Sequence, residues 1–289
     1  MPVQQFNGLK RTIAVGKIDA IPGMSGPYTA ASAGPGVAAM LATSIRQSGR
    51  FILAERDDLG QVLTEQQLVA NRLAQGSAGP HPGAIFPAQY LVDGAVTELS
   101  TGDQGSSIGI GVGGFGGLSL NRQKGRVAMD LHLINTRTAE IEDSFSVTKE
   151  LTSSGVGVTG GYKAITLGGN QFWSTPLGGA MRAALDEAVA RISADVVKDG
   201  WDALIAQIDG NQVYINAGSD AGLKVGDHLR VERVTGMLTD PATNRVLTVQ
   251  KANLGTVVIT AVDPKFATGT LAKAGVLVPQ RGDSVVYEK

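Results

Sequence analysis

Residues 101–126 read TGDQGSSIGIGVGGFGGLSLNRQKGR. Ile108, Ile110 and Val112 alternate with Gly109, Gly111 and Gly113, and after a Gly-Gly-Phe-Gly-Gly corner centred on Phe115, Leu118 and Leu120 flank Ser119. An extended chain with this period of two is apolar on one side and almost bare on the other. Glycine leaves an ordinary strand little to pack into a core. A strand with lipid on one face and water on the other needs only its outward positions to be apolar. The stretch therefore reads as a membrane-crossing β-hairpin over about 101–126, with a flexible glycine loop as the plainer alternative. Gly109-x-Gly111-x-x-Gly114 matches the spacing of a dinucleotide fingerprint, but that motif needs a helix to open directly after the strand, and no helical period follows.

A second excursion, residues 148–173, reads TKELTSSGVGVTGGYKAITLGGNQFW. Val156 and Val158 stand between glycines, Thr159-Gly160-Gly161 makes a corner, and Tyr162, Ile165 and Leu167 supply apolar positions on the return. Phe172 and Trp173 close it as an expected aromatic girdle. Working outward, residues 11–18 read as a strand, residues 19–36 as a long loop, residues 37–48 as a helix with Val37, Met40, Leu41 and Ile45 on one side, and residues 51–55 as a strand. Asp57-Asp58 opens a second helix whose buried side would carry Leu59, Val62, Leu63, Val69 and Leu73. Strands follow at residues 90–99, 127–133 and 140–147, the last two joined by a turn at residues 135–138. Ser174-Thr175-Pro176 starts a helix with Leu177, Met181, Ala184, Leu185, Ala188, Ile192 and Val196 as its buried stripe, ending near Gly200.

The whole chain has 289 residues, 43 % hydrophobic and 18 % charged, with a net charge of −1, 39 glycines and no cysteine. That is enough for one or two domains with sizeable cores. Near-neutral charge argues against nucleic acid as the main partner. Without cysteine there are no disulfides or thiolate metal sites. No run of about 18 apolar residues is present, so no transmembrane helix and no signal peptide is expected, and an exported protein would have lost its leader.

The succession at residues 37–67, then YLVDGAVTELSTG at 90–102, the glycine-rich insert, and VAMDLHLINTRTAEIEDSFSVTKEL at 127–151 resembles the CsgG family of outer-membrane curli-subunit secretion channels. Phe51-x-x-x-Glu55-Arg56 and Leu131-x-x-x-Asn135-x-x-Thr138-x-Glu140-Ile141 carry most of the likeness, which covers about residues 9–205. The resemblance implies an α/β periplasmic domain similar to the anticodon-binding fold, with two β-hairpin inserts per subunit joining a shared oligomeric transmembrane β-barrel. Four strands per subunit, set against the 36 of the largest barrels, imply a ring of about nine copies. It further implies export of unfolded polypeptide, such as fibre, adhesin or holdfast subunits, with the soluble domains in the periplasm. Partners would be the chain itself, the secreted polypeptide, periplasmic or surface accessory proteins and outer-membrane lipid. Family channels narrow at a loop with an aromatic-Pro-x-x-Asn-Phe run. The matching loop here keeps Pro27-Tyr28 but lacks the Asn and Phe, which makes Pro27 and Tyr28 the constriction candidates. Family members carry an acylated N-terminal cysteine that this sequence lacks, so either the anchor was trimmed or barrel insertion suffices.

The first domain is expected over 1–208. Residues 209–289 change to short strands between Gly and Asp turns, at 213–216, 228–235, 255–262 and 283–287, which suggests a small all-β barrel. Its AGLKVGD turn, residues 221–227, is similar to the C-terminal domain of the flagellar ring protein FlgT. It reads as a periplasmic docking module or, more plainly, as a cap. Catalytic, metal and cofactor sites are not expected: His81, His132 and His228 lie in separate segments, and no phosphate loop or Gly-x-Ser-x-Gly elbow is present. Asp57-Asp58 reads as helix N-terminal charge. A soluble periplasmic scaffold, sharing the α/β core but spanning nothing, is the second reading; the paired hairpin inserts separate it from a pore.

Overall fold

The computed structural model describes residues 6–21, 30–56, 58–71, 86–105, 120–156, 172–198, 200–242, 246–274 and 277–288. Two compact units emerge: Thr12–Asp195, and Val196–Lys289 together with Gln5–Arg11. The first contains, in chain order, strand β1 (Arg11–Ala20), helix α1 (Ala30–Gln47), β2 (Phe51–Ala54), α2 (Leu59–Ala70), β3 (Tyr90–Gly105), β4 (Leu120–Asn135), β5 (Glu140–Val156) and α3 (Pro176–Lys198). The strands form one sheet in the order β2-β1-β3-β4-β5, with β1 and β3 parallel and β3-β4-β5 an antiparallel meander.

Alternation along the meander separates two faces. Tyr90, Val92, Val96, Leu99, Val127, Met129, Leu131, Leu133, Phe145 and Val147 are buried on one. Leu177, Met181, Ala184, Leu185, Ala188 and Ile192 are buried on α3, as their helical spacing requires. Lys149 pairs with Glu187, and Arg191 lies 4.9 Å from the centre of the Phe145 ring, so α3 runs along β5. The opposite face carries Asp93, Asp130, His132, Ser144 and Ser146, in keeping with an antiparallel sheet that meets water on one side. There His132 Nδ1 lies 3.1 Å from Asp93 Oδ1, and Ser146 hydrogen-bonds Asp130.

Several expectations need correction. The loop expected over 19–36 is shorter, because β1 continues to Ala20 and α1 begins at Ala30. The Ala-rich start tolerates Pro35 inside the helix at the loss of one backbone hydrogen bond. Helix α2 does not bury its expected stripe: Val62 and Leu63 are exposed and Gln66 is the buried residue. Asp58 does not cap that helix with its side chain, and its Oδ1 instead accepts from Gln61 Nε2 at 2.9 Å. Leu73, Asp57 and the expected helix end at 76–82 lie outside the described residues. Strands β3, β4 and β5 all run beyond their expected core lengths, into the first segments of both inserts.

The second unit is a closed barrel in the order β10-β7-β6-β11-β8-β9. Its strands are β6 (Asp202–Asp209), β7 (Gln212–Ile215), β8 (His228–Thr239), β9 (Val246–Val262), β10 (Ala267–Ala274) and β11 (Ser284–Tyr287). Ile205, Val213, Ile215, Leu229, Val231, Val257, Ile259 and Val285 fill it. Strands β6 and β10 were not expected from sequence, and β6 begins before residue 209. The segment ahead of β1 belongs here too: Lys10 N donates to Ala221 O at 2.8 Å, Trp201 Nε1 to Lys10 O at 3.3 Å, and Arg11 Nη1 to Asp202 Oδ1 at 3.1 Å. Gly222, at φ 89°, is required at that junction, since a Cβ there would lie 2.3 Å from Gly8 O.

Candidate functional site

The best-defined functional feature is the foot of the two inserts. Strand β4 runs unbroken from Leu120 to Asn135, roughly 50 Å of chain at strand rise. Over its first residues it pairs on both sides, with Thr101–Gly105 opposite residues 121–125, and with residues 150–156 of β5. The outgoing arm of the first insert, its return, and the outgoing arm of the second are thus three adjacent strands of one sheet. Each is a direct extension of a core strand.

Helix α3 marks where the core ends. Thr175 Oγ1 donates to Phe172 O at 2.7 Å and accepts from Gly178 N at 3.0 Å, capping the helix as the Ser-Thr-Pro start predicts. The first turn then presses onto Gly125: a Cβ there would stand 2.2 Å from Leu177 N and 2.4 Å from its Cα. Only a residue without a side chain lets the helix reach the sheet at this point. Beyond Gly125 the strands leave the helical layer.

Four charged residues are placed at this foot. Arg126 Nε donates to Glu98 Oε2 at 2.9 Å, and Lys124 Nζ to Glu150 Oε1 at 3.3 Å, all on the face away from α3. Arg126 and Glu150 are also direct cross-strand partners. Such pairs between half-exposed groups add little stability, but opposite charges in cross-strand positions favour one register. This ladder was missed from sequence; its signal was Glu98, Lys124, Arg126 and Glu150 sharing strand parity once a hairpin is drawn.

Of the expected arm residues, Leu120 and Val156 lie on described strands and face each other in register. Ile108, Ile110, Val112, Phe115, Leu118, Val158, Tyr162, Ile165 and Leu167 lie outside the described residues, as do Pro27 and Tyr28. Phe172 is a correction. It is fully buried in a single 3-10 turn ahead of α3, an apolar residue tucked under a helix start, so it cannot meet lipid as a girdle. Trp173 is half-buried, its ring edge-on to Phe172 and 5.2 Å from the Arg182 guanidinium. It lines an open groove of about 570 Å³ between α1 and α3 with Ala39, Met40, Thr43 and Asp186.

In the barrel, Asp227 organises the AGLKVGD turn. Its Oδ2 accepts from Lys224 N at 2.8 Å, its backbone carbonyl accepts from Ile259 N at 2.9 Å, and its Oδ1 takes the Tyr287 hydroxyl at 3.3 Å. The Asp227 charge, together with burial, pushes the Tyr287 hydroxyl above its ordinary pKa. Asp283, almost fully buried, accepts from Arg233 Nε and Nη2 and from Gln280 N, each at 2.7 Å. These bonds pin the turn before β11 to β8. Among the described residues no group of His, Asp or Glu is arranged to hold a metal, and no described helix is long and apolar enough to cross a membrane.

Solved structures that match the chain include the hypothetical protein CT253 from Chlamydia trachomatis, 14 % identical over 65 % of this chain and 99 % of that one, at a TM-score of 0.40. The PelC dodecamer from Paraburkholderia phytofirmans matches at 13 % identity, 65 % and 91 % coverage and TM-score 0.29. Lipoprotein GNA1162 from Neisseria meningitidis matches at 12 %, 64 % and 99 %, and 0.27. No curated protein sequence matches the chain. Residues 210–287 match the C-terminal domain of flagellar assembly protein T, and residues 4–216 match the curli production assembly/transport component CsgG, both descriptions being of assembly or transport components. With that match spanning well over half of its length, the chain belongs to the CsgG family and carries a FlgT-type C-terminal domain.

Proposed function

We propose that this chain is the subunit of a homo-oligomeric outer-membrane channel that exports unfolded polypeptide, with its α/β and barrel units in the periplasm and about nine copies supplying a shared barrel. The observation that carries the reading is the triple-stranded foot: β3, β4 and β5 leave the helical layer together, in register, heading into the two glycine-rich inserts. At the foot, beyond the register shift at Val96/Glu98, even-numbered residues oppose even-numbered residues in both pairings. Continued outward, that register would set Leu118 and Leu120 beside Ile108, Ile110, Val156 and Val158 on one surface, with Gly109, Gly111, Ser119 and Gly157 on the other. That is the distribution a strand between lipid and a water-filled lumen needs. The paired charges at the foot would then sit on the periplasmic side of the apolar band. Pro27 and Tyr28 are proposed to narrow the pore, and Trp173, without Phe172, remains the candidate interfacial aromatic.

Two neighbouring substitutions test the pore. Ile110→Lys at a lipid-facing position costs roughly 2 to 4 kcal/mol per copy near the bilayer midplane, repeated round the ring. It should abolish heat-resistant oligomer in outer-membrane fractions. Gly111→Ser adds a small polar group to a wet lumen and should assemble. Equal assembly of Ile110→Lys and the parent, together with monomer in the detergent-free soluble fraction, would establish the soluble scaffold instead.

A further inference from the structure

On the face away from α3, the rungs of the foot can be followed outward along β4. Arg126 lies between Ser100 and Glu150, Lys124 between Gly102 and Thr152, Arg122 between Gln104 and Ser154, and Leu120 opposite Val156. No register shift interrupts β4 over these residues, so all four positions share one face. Glu98 and Glu150 are the carboxylates on this part of the face, and they are committed to Arg126 and Lys124 respectively. Three cations thus stand against two carboxylates, and the outermost cation is the excess one. Neither cross-strand partner of Arg122 is acidic, and neither are Gly102, Thr152 and Val156 on the adjoining rungs. The last charge before the apolar series is an unbalanced arginine.

Dimensions decide which of these cations a bilayer would reach. Antiparallel strands rise about 3.4 Å per residue, and at the roughly 35 to 45° tilt of membrane barrels each two-residue rung advances about 5 Å along the membrane normal. The headgroup region adds roughly 5 to 8 Å on each side of the hydrocarbon core. With the edge of that core at the Leu120–Val156 rung, Arg122 would stand about 5 Å outside it, within the headgroup layer. Lys124 and Arg126 would stand at about 10 and about 15 Å, in water, where each already has its carboxylate.

We infer, resting on the channel proposed above, that Arg122 is a phospholipid-binding residue whose partner is a headgroup phosphate of the periplasmic leaflet. The chemistry of arginine suits that partner. A guanidinium stays charged, and its donors form a planar fork that matches two phosphate oxygens. A cation beside hydrocarbon is costly unless an anion meets it there. The chain supplies no carboxylate on that rung, whereas the phosphate layer offers an anion to every copy. Repeated round the ring, the contact would form a belt that sets how deep the barrel sits.

The test uses the full-length ring extracted in dodecyl maltoside, a detergent without phosphate. Its dissociation temperature is read on gels before and after phosphatidylethanolamine and phosphatidylglycerol are added. Lipid should raise that temperature in the parent. Arg122→Gln should match the parent in detergent and lose most of the rise, while Arg122→Lys keeps part of it. Moving the charge by one residue, Asn121→Arg combined with Arg122→Gln, turns it to the opposite face and should not restore the rise. Native mass spectrometry should find phospholipid retained on the parent ring and lost from Arg122→Gln. Inorganic phosphate added in place of lipid should change nothing, and an equal rise with it would overturn the lipid partner in favour of a free anion. A ring of Arg122→Gln already weaker in detergent alone would make Arg122 a contact within the ring and overturn the inference. The same lipid-dependent rise in Arg122→Gln and the parent would overturn it and leave the channel standing. A parent chain that yields no detergent-extracted ring removes both.

Discussion

Gly125 and Gly60 make a matched pair in which the same substitution should act with opposite sign. At Gly125 an added Cβ meets three consecutive backbone atoms of the first turn of α3, Leu177 N at 2.2 Å, Leu177 Cα at 2.4 Å and Pro176 C at 2.5 Å. Ordinary contact begins at 3.4 Å, so α3 must retreat by roughly 1.2 Å from the sheet. No flexible side-chain end can absorb that, and overpacking of this kind costs about 1 to 3 kcal/mol. The retreat also loosens Leu177 and Met181, both buried. At Gly60, inside α2, a Cβ meets nothing within 4 Å. There Gly→Ala removes only glycine's helix penalty and should stabilise by up to about 1 kcal/mol. Guanidinium titration of both variants in detergent, followed by far-ultraviolet circular dichroism, resolves the difference, with Trp173 fluorescence reporting the α3 start. A Gly125→Ala midpoint at or above that of the parent would refute the close approach of helix and sheet. A fall at Gly60 as large as that at Gly125 would show that glycine flexibility, and not packing, sets both.

Three further outcomes are expected. Tyr28→Ala should raise single-channel conductance if Tyr28 from every copy converges on the axis, since repeated aromatic bulk sets a pore's radius; an unchanged current moves Tyr28 to the surface. Burial opposes ionisation of Glu232, but hydrogen bonds and charge from Lys251 and Arg230 outweigh it and hold the carboxyl below its usual range. Its contribution to stability is therefore present above the ordinary Glu value of about 4.3 and is lost as pH falls through the lower folded value. The barrel's melting temperature should drop more steeply below pH 4 in the parent than in Glu232→Gln, and parallel profiles would contradict this. Asp283→Ala should lower the barrel's melting temperature, because Arg233 and Gln280 N lose their shared acceptor; an unchanged scan would mean that the turn before β11 is held by other contacts.

What could be read from sequence follows how local the signal is. The stripe from Leu177 to Val196 needs only its own spacing, and all seven of its residues are buried. Thr175 and Pro176 mark the start of α3 just as locally. The face of α2 was misread because burial depends on what lies beside a helix, and Gln66 occupies the covered side while Val62 and Leu63 face outward. Phe172 was misread for a related reason: an aromatic pair after a glycine-rich run suits both a membrane girdle and the residue preceding a helix cap, and only its burial distinguishes them. Strands β6 and β10 escaped because DALIAQID and ATGTLAKA mix weak strand formers with no clean alternation, and closure of the barrel supplies what propensity lacks.

The arms lie between these cases. Alternation in residues 108–120 marks an extended chain with one apolar side, but sequence alone leaves open which sheet surface that side continues. Register answers this at the foot, where Gly125 lies on the face covered by α3 and Lys124 on the open one, with residues 120–126 paired throughout. Leu120 shares parity with Lys124, so in the channel proposed above the apolar series would continue the open face and the glycine series the helix-covered one. A single-residue slip between β3 and β4 would exchange the two surfaces. The ion pair of Arg126 with Glu98 opposes that slip at the last point before the arms leave the core, and that of Lys124 with Glu150 opposes the corresponding slip between β4 and β5. In the proposed channel the same charges would fix the side that the apolar residues of the arms present.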